Sequence, residues 1–459
     1  MNVVLLVVDS LRAASLGRPG GPRTPFLDRL ATDTVCFRNA HATECWTLPT
    51  HMSMFTGLLP SEHGAHFQTM AYVGAQPTVA EVFAARGHHT EVVTRNSLFD
   101  GTVPGSTRGF RTNTKILAER RGPDPLGLLL ALSKPRVRRL IRTSGFFHVL
   151  QRDDGAFLGT LARMIIPADR RVLDHALHRM TDLRQAGRPY FLFLNLYDVH
   201  APYPPRAHSP LASFGSLDGW IENLMLPRLS TQLGGHAYLA DGFAFSQRAQ
   251  RILCARYHRA IELMDAKLAA FWDAARAARL LDDAMVVVAS DHGEAFGEHD
   301  LWFHDASVWQ THLRVPLWIH HPDRAPGVVD DVVSTRDLFG LLAAVAEGRG
   351  VAGTLLDPDW RAAHPVALAE HFHYPHAPAM SPRYRQNCAA AVVGRWKCHV
   401  RREGMVAYDL AADPDETTPL PASIAMLEDV ARRDGAPRDA VAAGAAHLRR
   451  WAATAGLVA

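Results

Sequence analysis

The sequence lacks three features that would each assign it to a special class of protein. No two of its cysteines form a Cys-x-x-Cys pair, so neither a disulfide framework nor a zinc finger is expected. No apolar run is long enough for a signal peptide or a membrane span, because the first, Val3–Val8, stops at Asp9. The chain also lacks an excess of charge of one sign. The five cysteines are Cys36, Cys45, Cys254, Cys388 and Cys398.

The balance of charge narrows the range of expected partners. With 49 basic and 46 acidic residues the net charge is +3, which gives no electrostatic reason to expect nucleic acid or a membrane surface as a partner. Because the short first apolar run predicts neither a signal peptide nor a membrane span, we expect a cytoplasmic protein. The 25 histidines are an excess that fits metal binding or proton transfer. An Arg- and Ala-rich composition with few lysines explains that excess equally well.

Three mostly apolar runs of strand length each end in ionisable residues. Runs of this kind are typical of strands buried on both faces of a sheet. Open parallel sheets bind ligands at the carboxyl ends of their strands, so we expect a site there. The runs are Val3–Val8, Tyr190–Leu196 and Met285–Ala289. The ionisable residues that follow them are Asp9, then Asp198 and His200, then Asp291 and His292.

Helical patterns alternate with these strands, for example at Thr78–Arg86 and Gln247–Leu281. The alternation predicts an α/β fold with a doubly wound, mostly parallel sheet flanked by helices. We assign residues 1–360 to this catalytic domain. Residues from about 115 to 185 are predicted to be a helical insertion, and residues 206–246 a lid or substrate wall.

The pattern of apolar and polar residues changes near the C-terminus. Short runs such as Ala389–Val393 and Trp396–Val400 are joined by polar turns, and a helical pattern follows near Arg438–Trp451. We therefore predict that residues 361–459 form a small antiparallel α+β subdomain.

The segment around Thr47 carries the most chemical information. Thr47, followed by Pro49, is predicted to be a helix N-cap, and Gly57 is a plausible end of that helix. A helix N-terminus favours a bound anion such as phosphate or sulfate. Thr47 either caps the helix only or attacks such an ester, activated by a divalent metal. We predict that one cation is bound by Asp9, Thr47, Asp291 and His292.

Several motifs, in order along nearly the whole chain, resemble the sulfatase family of the alkaline phosphatase superfamily. The matching pieces are VVDSLR, RTPFLDRLATDTVCFRNAHAT, TLPTHMSMFTGLLPSEHG, LYDVHAPY, VVVASDHGEAFGEHDLW, LRVPLWI and WKCHVRREGMVAYDLAADPDETTPL. The last resembles the C-terminal subdomain of the family. The resemblance implies a metal-dependent ester hydrolase that works through a covalent nucleophile.

Three positions depart from the sulfatase pattern. Thr47 replaces the Cys or Ser that sulfatases oxidise to formylglycine, and threonine cannot form that aldehyde. His51 stands in place of an Arg, and Ser10 replaces the second Asp of a pair. Cys45 lies two residues too early to act as the nucleophile. These differences resemble the phosphoester-processing members, which use Thr or Ser directly.

The resemblance also implies roles for other residues. We predict catalytic roles for Thr47, His51, His200 and His304. His200 and His304 would contact the ester, and either would protonate the leaving group. Asn96 would donate a hydrogen bond to a nonbridging oxygen of the substrate. Arg314 is expected to anchor its own strand.

The number and identity of the metal ions stay open. Asp198, His200, His304 and His312 suggest a second metal, but a single ion is favoured, since His304 has a role at the leaving group. Two carboxylates and one imidazole suit Mn²⁺ or Zn²⁺ somewhat better than Ca²⁺, and Mg²⁺ is a further alternative.

The sequence thus predicts a hydrolase or transferase of phosphate or phosphonate mono- or diesters that forms a phospho-Thr47 intermediate. The two alternatives are a sulfatase that lacks formylglycine and a transferase that moves a phospho-alcohol group in biosynthesis. The expected partner is a small-molecule phosphate or sulfate ester. The sequence gives no indication of the oligomeric state.

Overall fold

The computed structural model describes most of the chain. The described residues are 1–116, 169–201, 203, 245–304, 306–373, 384–401, 404–421, 429 and 438–454. Most of the predicted helical insertion, residues 117–168, and the predicted lid, residues 206–244, lie outside this part. A division of the chain near residue 360 stays a prediction.

Among the described residues the larger sheet has eight strands, which are numbered along the chain with the ranges given at the end of this paragraph. Their order in space is β10-β2-β9-β6-β1-β5-β3-β4. Strand β9 pairs antiparallel with both β2 and β6, and the other pairs are parallel. The predicted mostly parallel α/β sheet is therefore confirmed. Its strands are β1 (Asn2–Val8), β2 (Val35–His41), β3 (His89–Thr94), β4 (Thr112–Lys115), β5 (Tyr190–Leu196), β6 (Ala284–Ser290), β9 (Arg314–His320) and β10 (Gly327–Ser334). A small hairpin is formed by β7 (Ala295–Phe296) and β8 (Trp302–Phe303).

The central strands are apolar on both faces because each face has its own core. Val4, Leu6 and Val8 of β1 join one hydrophobic cluster, whereas the alternate residues of the strand join another. Side chains of a strand alternate between the faces of its sheet, so a continuous apolar run predicts helices on both sides. Every residue of β1, β5 and β6 is buried.

The helices cover both faces. The first cluster receives α1 (Pro25–Asp33), α5 (Asp169–Gln185) and α6 (Gln247–Ala277). The second receives α2 (Thr47–Thr56), α4 (Val79–Ala85) and α8 (Leu338–Ala346). The remaining helices of the described residues are α3 (Pro60–His63), α7 (Gln310–Leu313), α9 (Pro358–Ala363) and α10 (Arg438–Thr454). None of the described helices is long and apolar enough to cross a membrane.

A second, antiparallel sheet follows in the chain, as predicted. Its strands, in spatial order, are β11 (Val366–His371), β12 (Cys388–Val393), β13 (Trp396–Arg401), β14 (Gly404–Asp409) and β15 (Leu420–Pro421). Helix α10 packs Leu448 and Trp451 against this sheet. The edge strand β11 also contacts the loop that follows β2, because Glu370 N–H donates to the carbonyl of Thr43 at 2.9 Å.

The register of the larger sheet brings three strand ends to one level. Val8 of β1 pairs with Leu196 of β5 on one side and with Ser290 of β6 on the other. The residues that follow these strands therefore meet at the carboxyl edge of the sheet, where α2 also begins.

Candidate active site

Asp9 and Asp291 follow the adjacent strands β1 and β6, and both are fully buried. Ser10 holds them in place, because its N–H donates to Asp291 Oδ1 at 3.0 Å and its hydroxyl donates to Asp9 Oδ1 at 2.9 Å. Ser10 adopts a left-handed backbone with φ of 64°, which is uncommon for a residue with a side chain. Ser10 thus orients both carboxylates.

His292 directs one ring nitrogen towards these carboxylates. Its Nδ1 lies 2.9 Å from the carbonyl oxygen of Gly293, which makes Nδ1 the donor and leaves a lone pair on Nε2. Nε2 lies 3.4 Å from Asp291 Oδ2 and 3.8 Å from Asp9 Oδ1. This is the tautomer in which a histidine binds a metal.

Thr47 lies at the start of α2, beside the same groups. Its hydroxyl oxygen is 3.2 Å from His292 Nε2 and 3.4 Å from Asp9 Oδ2. The prediction that Thr47 is the N-cap is wrong, because Trp46 occupies that position in an extended conformation and Thr47 is the first helical residue. The Thr47 side chain is therefore not used for capping. Gly57 ends the helix as predicted, with φ of 72°.

The electrostatics of this cluster fit a bound cation. Burial and the charge of Asp9 together raise the pKa of Asp291 well above its ordinary value. Burial and the nearby His304 lower the pKa of His292. Asp291 Oδ2 also has no hydrogen-bond partner among the described residues. Two buried carboxylates, an imidazole lone pair and a hydroxyl form a donor set that suits a divalent metal.

Asn96 lies at the edge of the cluster, after β3. Its side-chain amide is 3.5 Å from Asp9 Oδ2, while its carbonyl oxygen accepts the N–H of Leu98 at 3.0 Å. The second bond fixes the side chain with its N–H₂ group towards the site. The structure therefore brings Asn96 beside Asp9, and its role towards the substrate stays a prediction.

His51 lies one helical turn after Thr47 and is fully buried. Its Nδ1 donates to the carbonyl of Thr47 at 2.7 Å and lies 3.7 Å from Asp291 Oδ2. Its ring packs among phenylalanines, with the centroids of Phe99 and Phe193 at 4.7 and 5.4 Å. Burial lowers the pKa of His51 to about 4, so the ring is neutral near pH 7.

His200 and His304 lie together on the open side of the cluster. Their ring centroids are 4.9 Å apart, and that of His304 is 4.6 Å from the ring of His292. Burial lowers the pKa of His200 to about 4, although Asp9 acts in the opposite direction. His200 also contacts Tyr197, whose hydroxyl lies 3.3 Å from its Nε2. The structure thus brings both predicted histidines to the site.

Sequence reasoning missed Glu294, which organises this side of the site. Its buried carboxylate accepts a hydrogen bond from His304 Nδ1 at 2.9 Å and another from the Tyr203 hydroxyl at 2.6 Å. The only available signal was the position of Glu294 directly after the Asp291–Gly293 turn. The pairing itself forms across a loop and leaves no periodic pattern.

Other predicted residues have different partners. Asp198 pairs with Arg95 at 2.6 Å and with Lys267, while His312 contacts Ser307 Oγ and the carbonyl of Phe303. The four residues suggested for a second metal are therefore not brought together. Arg314 bonds the carbonyl of Arg38, which agrees with its predicted anchoring role. Cys45 is buried and contacts Glu44 rather than the cation cluster.

Comparisons with known proteins agree with this architecture. A family model described as Sulfatase matches residues 1–348. A choline-sulfatase of Rhizobium meliloti (strain 1021) is 25% identical over 453 residues, covering 91% of this chain and 82% of that protein. Arylsulfatase K of Homo sapiens is 24% identical over 460 residues, covering 91% of this chain and 78% of that protein. The crystal structure of a phosphonate monoester hydrolase of Agrobacterium radiobacter is similar, with a TM-score of 0.63 at 20% identity, covering 98% of this chain and 95% of that one.

Proposed function

The chain belongs to the sulfatase family of the alkaline phosphatase superfamily and is an ester hydrolase, and from this premise we propose that it hydrolyses phosphate or phosphonate esters through a covalent intermediate on Thr47. One observation carries the proposal. The Thr47 hydroxyl, which no capping interaction uses, lies within 3.4 Å of Asp9 and 3.2 Å of His292 at the start of a helix.

Asp9, Asp291, His292 and Thr47 would hold the cation, and the mixed oxygen and nitrogen donors favour Mn²⁺ or Zn²⁺ over Mg²⁺ or Ca²⁺. When bound, a divalent ion lowers the pKa of a hydroxyl ligand and neutralises negative charge on the ester. The family is generally metal-dependent, and these residues fit such an ion. Their arrangement supports one ion rather than two.

Thr47 Oγ1, after releasing its proton to solvent, would attack phosphorus and form an oxygen–phosphorus bond. The bond from phosphorus to the leaving alcohol oxygen would break, and that oxygen would take a proton. Water would then attack the phosphorus of the phospho-threonine, the bond between phosphorus and Thr47 Oγ1 would break, and phosphate or phosphonate would leave while a proton from the water restores the Thr47 hydroxyl. The N-terminus of α2 faces the nonbridging oxygens and stabilises their charge, and Asn96 adds one amide donor.

The two histidines have different environments, and this difference separates their roles. The Glu294 carboxylate stabilises a positive charge on His304, so His304 would donate the proton to the leaving oxygen. His200 is neutral near pH 7 because burial lowers its pKa to about 4, so it would only orient the ester. His51 would hold the carbonyl of Thr47 and act as a positioning residue.

The choice of phosphorus over sulfur depends on Thr47, Ser10 and His51. Threonine cannot supply the formylglycine aldehyde, and Ser10 leaves the site with one carboxylate fewer than the sulfatase pattern. The choline-sulfatase relative keeps sulfate esters as the second candidate. A transferase is the third, in which an acceptor alcohol replaces the water of the second step.

Matched aryl phosphate, phosphonate and sulfate esters, assayed with the purified protein and its variants, test the proposal. We expect the phosphorus esters to be turned over faster, and Thr47→Ala to lose at least about 10³-fold in kcat while keeping its metal. Thr47→Ser, which keeps a hydroxyl, should retain part of the activity. Acid quenching should trap phosphate on the Thr47 peptide, detected by mass spectrometry. An active Thr47→Ala variant, or a clear preference for the sulfate, would contradict the proposal.

A further inference from the structure

A second cluster of residues that can bind a metal includes part of the loop that precedes α2, the helix that begins at Thr47. Glu44, Cys45 and His371 are buried, and their donor atoms converge on one point. Glu44 Oε1 lies 2.7 Å from His371 Nδ1, and Cys45 Sγ lies 3.2 Å from Glu44 Oε1 and 3.6 Å from His371 Nδ1. Two of these residues come from the loop before α2, whereas His371 ends β11 of the second sheet.

The geometry of this cluster is close to that of a tetrahedral zinc site. Zinc binds sulfur, nitrogen and oxygen at about 2.0–2.3 Å, which separates neighbouring ligand atoms by roughly 3.5 Å. The two distances that involve Cys45 Sγ already lie near this value. The shorter contact between Glu44 and His371 is a hydrogen bond, and it would lengthen by about 0.7 Å when a cation replaces the shared proton.

A hydrogen-bonded Glu–His pair alone leaves one observation unexplained. The second carboxylate oxygen, Glu44 Oε2, is buried and has no hydrogen-bond partner among the described residues. An orphaned carboxylate oxygen in a dry interior costs free energy, because its hydration is lost without replacement. A cation bound between the three side chains can be shared by both oxygens of Glu44. The Cys45 thiol and the His371 imidazole both lie next to the other oxygen of this carboxylate, Glu44 Oε1.

We propose that Glu44, Cys45 and His371 form a site for one zinc-like divalent cation, separate from the predicted catalytic metal. Cys45 would bind as the thiolate and release its proton to solvent. The ion would tie the loop that carries Thr47 to the second sheet.

Cobalt gives a test that depends on sulfur alone. The predicted catalytic set, Asp9, Thr47, Asp291 and His292, contains no thiolate, so a sulfur-to-cobalt charge-transfer band in Co²⁺-loaded protein reports only the new site. We expect this band in the full-length protein, with about two equivalents of metal bound. Cys45→Ser should remove the band and about one equivalent, and His371→Gln should do the same.

Two controls make the result specific. Cys398→Ser changes a buried cysteine of β13 outside the cluster and should leave the band unchanged. Asp291→Asn should remove the catalytic equivalent but keep the band, and Thr47→Ala should not affect it. The proposed site is therefore tested independently of the proposed reaction. A folded, metal-loaded wild-type protein with no sulfur-to-cobalt band, or a band that survives in Cys45→Ser, would overturn the proposal.

Discussion

Two pairs of buried carboxylates, Asp9 with Asp291 and Asp169 with Asp198, lie in this protein under opposite conditions. Arg95 Nη1 is 2.6 Å from Asp198 Oδ1 and 3.9 Å from Asp169 Oδ1, and Lys267 also pairs with Asp198. Cationic side chains of the chain itself therefore offset part of the charge of the second pair, although burial and the charge of Asp198 still raise the pKa of Asp169 to about 8.

Among the described residues, the first pair has no such neighbours. Within the described part of the chain, no Arg or Lys forms an ion pair with Asp9 or Asp291, and the nearest imidazole, His292, is neutral because burial lowers its pKa. Burying charge without a counter-charge is costly. The contrast supports the proposal that the Asp9–Asp291 pair binds a cation from solution, whereas the Asp169–Asp198 pair is partnered by cations of the chain itself.

The largest effect should come from Asp291→Asn, compared with Asp169→Asn. Removing the Asp291 charge should abolish tight binding of the catalytic metal and lower kcat by about 10³-fold or more, because the cation loses a ligand at the centre of the site. Asp169→Asn should keep both the metal and the activity. Metal analysis and ester turnover on both variants measure this difference. Equal metal loss in the two variants would remove the distinction.

Lys267→Met should give the next effect, on stability instead of activity. The change removes one of the cations that pair with Asp198, so we expect the free energy of unfolding to fall by about 3 kcal/mol. Metal content should not change. Denaturant unfolding measures the loss, and Arg276→Met, at an exposed ion pair with Asp33, is the matched control with little effect. A neutral result at Lys267 would show that Arg95 alone compensates both carboxylates.

The dependence of stability on pH should separate the metal-free from the metal-loaded protein. The pKa of Asp291 is raised in the folded metal-free chain, so its contribution to stability is present at low pH and is lost as the pH rises through that raised value. A bound cation removes this loss and adds about 2.7 kcal/mol at a concentration 100-fold above its Kd. The difference in melting temperature should therefore widen as the pH rises from about 4, the ordinary pKa of an Asp carboxyl, through the raised pKa of Asp291. In Asp291→Asn the widening should disappear; if it persists, another group is responsible.

Ser10→Ala should have the smallest effect. It removes the hydroxyl that donates to Asp9 Oδ1 but keeps the backbone N–H that holds Asp291. We expect about a tenfold weaker affinity for the catalytic metal, as is typical when a residue that orients a ligand is lost. Metal titration of the wild type and the variant measures it. An unchanged affinity would mean that the carboxylates are positioned by their strands alone.

The sequence predicted the parts of the molecule that depend on local patterns. The runs that became β1, β5 and β6 are apolar because both faces are covered, and this placed Asp9, Asp291 and His292 at one edge. Strand β4 was not predicted, since Thr112–Lys115 is a polar edge strand that is only half buried and carries no apolar run. The predicted start of α2 was wrong by one residue. Trp46, which lacks a typical capping side chain, is the N-cap in an extended conformation, and Thr47 is the first helical residue.

Long-range pairings could not be predicted in the same way. Glu44 and His371 lie 327 positions apart in the chain, and only the packing of β11 against the first sheet joins them. Glu294 and His304 are near in sequence, yet their contact depends on the path of a loop. Neither contact produces a periodicity, so a single sequence carries no signal for it.

The contact between β11 and the loop before α2 has a consequence for how such a protein can evolve. Glu370 accepts hydrogen bonds from Ser61 at 2.7 and 2.8 Å, and its N–H binds Thr43. A chain cut after residue 360 would keep every predicted ligand of the catalytic metal. It would lose Glu370, which bonds Thr43 before α2 and Ser61 after it. We therefore expect the two sheets to be inherited together, because exchanging the C-terminal sheet would remove the hydrogen bonds that Glu370 makes with Thr43 and Ser61.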